Sequence, residues 1–93
     1  MESLFVFTPY RSVGATVVLE GSECDYSPAP GYRLLAFIVK MPSTGIYRLA
    51  VSCTLNDHFE KSAGMDRDSL SEAEAAARTW MEPFLSRMPQ PTA

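Results

Sequence analysis

Residues 32–40, Tyr-Arg-Leu-Leu-Ala-Phe-Ile-Val-Lys, are apolar on both alternating sets of side chains: Leu34, Ala36 and Ile38 on one side, Leu35, Phe37 and Val39 on the other. Successive side chains of a strand point to opposite faces. A run that is apolar on both sides belongs in the middle of a sheet, with cover above and below. The run lies between Pro30-Gly31 and Pro42, the Pro and Gly punctuation that bounds a strand. What the rest of the chain can supply as cover therefore sets the fold.

Three other segments read as strands. Residues 3–8, Ser-Leu-Phe-Val-Phe-Thr, are rich in aromatic and apolar residues and stop at Pro9. Residues 13–20 alternate, with Val13, Ala15, Val17 and Leu19 on one side and Thr16, Val18 and Glu20 on the other. Residues 46–55 are sharply two-sided: Tyr47, Leu49, Val51, Cys53 and Leu55 form the core side, and Arg48, Ala50, Ser52 and Thr54 face away. Met41-Pro42-Ser43-Thr44-Gly45 has the composition of a short hairpin connection. Consecutive strands commonly pair, so the expected sheet is a four-stranded, mainly antiparallel meander. Residues 21–31 and 56–69 are then long loops at one end of it.

Ser71-Glu72-Ala73-Glu74 reads as a capping box that starts a helix over residues 71–82. Ala73, Ala77, Trp80 and Phe84 recur as one apolar stripe, and Glu74 and Arg78 stand four residues apart as a favourable pair. Pro83 should stop or kink the helix, with a kinked continuation to residue 87 and a flexible tail over 88–93. The predicted class is α+β: one domain over residues 1–87, its single C-terminal helix packed on one face of the sheet.

One helix covers one face of a four-stranded sheet. The second face of residues 32–40 is expected to meet a protein partner or a second copy of the chain, through Leu35, Phe37, Val39 and Arg48. The alternative is that the tail or the 21–31 loop folds across it.

Charge narrows the function classes. The net charge is −3; residues 1–55 carry four acids and four bases, residues 56–93 seven acids and four bases. The bases are scattered singly, which disfavours nucleic acid, because phosphate binding needs clustered Lys and Arg. The chain begins Met-Glu-Ser-Leu, and its first apolar run ends at Pro9. No membrane segment or signal is read there, and the expected location is cytoplasmic. Cys24 and Cys53 lack zinc-ligand spacing and are expected to be reduced thiols.

Under this topology Asp25 and Tyr26 on one long loop face Asp57 and His58 on the other. That rim is the candidate small-ligand or enzymatic site. Cys53 belongs to an apolar strand set and should pack as a small hydrophobe rather than serve as a nucleophile. Asp57, Glu60, Asp66 and Asp68 lack the spacing of a calcium loop. No catalytic set, metal or cofactor is expected. The leading expectation is a non-catalytic protein that acts by protein contact.

The order of strands followed by a helix over residues 13–87 is similar to the double-stranded-RNA-binding-like fold. That family's helix begins with a basic cluster for phosphates. Ser71-Glu72-Ala73-Glu74 carries the opposite charge, so the resemblance implies the fold without the RNA contact.

Overall fold

The computed structural model describes residues 4–14 and 18–90. Five strands precede the helix: β1 (Thr8–Val13), β2 (Val18–Ala29), β3 (Tyr32–Lys40), β4 (Tyr47–Leu55) and β5 (His58–Arg67). Helix α1 spans Leu70–Met81 and leads into a 3-10 segment, Glu82–Arg87. The strands lie in the order β1-β2-β3-β4-β5, each antiparallel to its neighbour, so the sheet is a pure meander. The α+β class and the antiparallel meander agree with the sequence. The strand count does not: five strands form among the described residues rather than four.

Three differences have local physical causes. The first strand was expected over residues 3–8 and instead occupies Thr8–Val13, with Pro9 inside it. β1 is an edge strand, where a proline can sit without removing a hydrogen bond from the sheet. Its register, Thr8↔Glu23 through Val13↔Val18, carries β2 well past Glu20. The expected loop 21–31 is therefore mostly strand, closed by the two-residue turn Pro30-Gly31. Gly31 has φ 86°, the positive value that a Pro-Gly type II turn places at its second central residue. Residues 3 and 15–17 of the expected strands lie outside the described residues.

The second expected loop, 56–69, is β5. It pairs with β4 from Leu55↔His58 to Tyr47↔Arg67, with one bulge beside Thr54. Asn56 and Asp57 both have positive φ, 50° and 65°, as a two-residue type I′ hairpin turn requires. Asn and Asp tolerate that conformation better than other non-glycine residues. The two turns abut, since the Asp57 amide donates to the Gly31 carbonyl at 2.8 Å.

The helix begins two residues earlier than the capping box suggests. Ser69 is the N-cap, and its hydroxyl accepts from the Glu72 amide at 3.2 Å. Glu74 is thereby freed from any capping role and instead accepts from Ser22 Oγ on β2 at 2.8 Å. Ala73, Ala77 and Met81 are fully buried, so the deepest stripe runs at intervals of four, with Trp80 displaced to the flank. Pro83 sits where α1 gives way to the 3-10 segment.

The core lies between α1 and one face of the sheet. Leu34, Ala36 and Ile38 from β3 and Leu49, Val51, Cys53 and Leu55 from β4 meet Ala73, Ala77 and Met81. The alanines let the helix approach the sheet closely, and Met81 fills the space at its C-terminal end. Phe5 closes the core beside β2, its ring meeting Tyr26 edge-on at 5.5 Å. Met88, at the start of the expected tail, is also buried; residues 91–93 lie outside the described residues.

Candidate functional site

The four rim residues are dispersed. Asp25 points to the face of the sheet away from the helix, where its carboxylate accepts two hydrogen bonds from Arg33, at 2.9 and 2.6 Å. The Arg33 guanidinium holds the Asp25 carboxyl below its ordinary range. Tyr26, one residue on, points to the helix face and packs on Phe5. Asp57 belongs to the β4–β5 turn, and His58 is exposed at the start of β5. The expected rim of two loops is replaced by two tight turns, and Asp25 and Tyr26 lie on opposite faces.

Both thiols are buried and unpaired. Burial pushes each up from its ordinary value; beside Cys24 the Asp25 carboxylate adds to the shift. A thiol so placed is a poor nucleophile at neutral pH. Among the described residues no group of three or more His, Cys, Asp or Glu is placed to hold a metal ion. No helix among them is long and apolar enough to cross a membrane.

Leu35, Phe37, Val39 and Arg48 all fall on the outer face, the side of the sheet opposite the helix. The register puts Glu23, Phe37 and Ala50 in one row across β2, β3 and β4, and Val39 and Arg48 in the next. Tyr10 joins from β1, its ring edge-on to Phe37 at 5.0 Å. Val6 borders the same surface beside Leu35 and Phe37, in a depression of about 480 Å³. Ion pairs flank the apolar stripe: Asp25–Arg33 on the β2 side and Arg48–Asp66, at 3.3 Å, on the β4 side. Among the described residues no element of the chain lies over this face. Phe37 is 38 % exposed and Val6 73 % exposed as a result.

A second surface lies between β5 and α1. The helix packs over β3 and β4, so the β5 side chains extend beyond its flank and form the floor of a groove of about 740 Å³. Met65, Ala75, Ala76, Trp80, Pro83 and Phe84 give it an apolar lining; Lys61, Arg67 and Glu72 stand at its rim. Trp80 and Phe84 lie against each other at 4.9 Å. With Trp80 on the buried stripe and a loop over residues 56–69, the sequence pattern gives no sign of this groove. The available signal was Asn56-Asp57 as a hairpin turn, followed by Ala63, Met65 and Arg67 at alternating positions.

No protein-family model, curated protein or solved structure matches the chain. Its functional reading therefore rests on these two surfaces.

Proposed function

We propose that this chain is a non-catalytic cytosolic domain that acts by protein contact, and that the contact is a second copy of itself packed on the outer face. The observation that carries the reading is the apolar stripe of Leu35, Phe37 and Val39 on the central strand, with no layer of the described chain above it. Phe37 is exposed and Leu35 and Val39 are half-buried; a partly open apolar stripe of this kind on a sheet face marks an interaction site on an otherwise ordinary globular protein.

The charges on the face favour a copy over an unrelated partner. Glu23 lies on β2 to one side of Phe37, and Arg48 on β4 to the other. A two-fold axis running along β3, between two stacked sheets, sets β2 of one protomer over β4 of its partner. Each Glu23 then approaches an Arg48, which also holds Asp66 at 3.3 Å, while Arg33, on the central strand beside the axis, faces its own copy with its charge offset by Asp25. The interface is isologous, as most soluble homo-oligomers require. Sheets stacked about 10 Å apart would interdigitate the two Phe37 rings.

Sedimentation equilibrium tests the reading. The native chain should sediment as a dimer at micromolar concentration, and Phe37→Glu, with its helical and strand circular dichroism intact, as a monomer. A native chain that remains monomeric at millimolar concentration would overturn the proposal.

A further inference from the structure

The groove between β5 and α1 is a different surface with a different chemistry. We infer that it binds an extended, acidic-apolar peptide segment of another protein, which adds to the sheet as a sixth strand along β5. Three observations support this occupant.

The first is the difference between the two edges of the sheet. β1, six residues long, carries Pro9, one of the devices that blunts an edge against further pairing. β5 is ten residues long and has no proline, and beyond its single bulge the stretch from Lys61 to Arg67 pairs regularly with β4. Its outer row of amides and carbonyls is a template for another strand. The second is the groove itself. An added strand lies about 4.8 Å beyond β5 and sends every other side chain toward the helix flank. There it meets Ala75, Ala76, Trp80 and Phe84. A strand edge beside an apolar helix flank is the arrangement used for strand addition by peptide-binding domains, in which main-chain bonds give affinity and alternate side chains give selectivity.

The third is charge. Arg33, Lys40, Arg48 and Arg87 are each paired with a carboxylate. Lys61 and Arg67, the two cations at the groove, are not so paired among the described residues; Arg67 donates only to the Asp66 carbonyl and, more distantly, to Met65 Sδ. With Glu72 as the one acid among the lining residues, the groove is net positive in a chain whose net charge is −3. An acidic side chain at either end of the peptide would meet one of these cations, exposed at Lys61 and half-buried at Arg67. A second copy of β5 fits less well. Paired about Ala63 it would bring Glu60 against Asp66, and paired about Gly64 it would bring Lys61 against Arg67.

The probe is the capped peptide Asp-Val-Thr-Phe-Thr-Ile-Glu, titrated into the full chain. Trp80 is the only tryptophan, so its fluorescence reports on the groove directly. Saturable binding with a blue shift is expected, weakened about two- to fivefold by Lys61→Glu, a loss of the size of an exposed charge pair. Ala75→Arg, on an exposed helix position, should block the groove independently. N-methylation of alternate peptide amides should abolish binding in one frame and leave it in the other, because only one row of peptide amides faces β5. Phe37→Glu should leave binding unchanged, which separates this site from the outer face. Absence of saturable binding, equal tolerance of both N-methyl frames, or loss of binding on Phe37→Glu would each overturn the inference. So would concentration-dependent protection of the β5 amides without peptide, which would assign the edge to a second copy.

Discussion

At the scale of single residues, small changes of environment separate side chains of similar chemistry. Asp25 and Tyr26 are neighbours in sequence, yet strand alternation sends one to an exposed ion pair and the other into the core. Gly21 shows how tightly β2 and β3 meet: a Cβ there would lie 1.8 Å from the Ile38 carbonyl oxygen, so only glycine fits. The absent side chain also leaves Tyr10, its cross-strand neighbour, room to reach Phe37. The two cysteines support a pH prediction. Because burial raises both thiols in the folded chain, the unfolded chain ionises first. Their contribution to stability is present in full below the ordinary thiol range and is lost as pH rises through the higher folded values. The urea midpoint should therefore fall between about pH 8.5 and pH 10, and the fall should be shallower in the double variant Cys24→Ala, Cys53→Ala. Equal slopes in the two proteins would show that the thiols do not contribute.

At the scale of elements, the helix start is the sharpest case. Two serines two residues apart, each followed three positions later by Glu, offer alternative caps: Ser69 with Glu72 and Ser71 with Glu74. Sequence pattern alone does not rank them. Tertiary contact does, because Glu74 is engaged by Ser22 across the helix–sheet junction and Ser69 is left to cap. Ser69→Ala should cost about 1 kcal/mol, read from urea denaturation, and Ser71→Ala less than about 0.5 kcal/mol. The reverse order would return the cap to Ser71. Arg78 was expected to pair with Glu74 along the helix; instead its guanidinium lies 4.7 Å from the centre of the Phe7 ring. A pair worth about 0.3–0.5 kcal/mol on a helix surface is easily displaced by contacts across elements.

At the scale of the whole molecule, the described residues cover one face of the sheet and leave the other open, and the geometry of the proposed dimer makes a prediction independent of any apolar substitution. Glu23→Arg and Arg48→Glu should each weaken the dimer, since each puts like charges opposite one another across the two-fold axis. The double variant exchanges the charges and should recover part of the affinity in sedimentation equilibrium, the remainder being lost with the Arg48–Asp66 pair. If the single variants weaken association and the double does not restore it, Glu23 and Arg48 do not meet, and the axis along β3 is wrong.

Local patterning is enough to specify a central strand apolar on both sides, its two-sided neighbour β4, a helix stopped near Pro83, and the α+β class. Those features rest on local periodicity and on residues with narrow conformational ranges, which do not depend on distant contacts. The remaining features depend on how the elements pack. β5 is poor in β-branched residues and forms because β4 offers it a hydrogen-bonding edge and Asn56-Asp57 turns the chain back onto it. β1 is displaced because register is set by its partner and not by its own composition. The groove exists only because α1 lies over β3 and β4 and leaves β5 uncovered. Local pattern specifies which residues must be buried, whereas the position of one element against another decides which surfaces are left open.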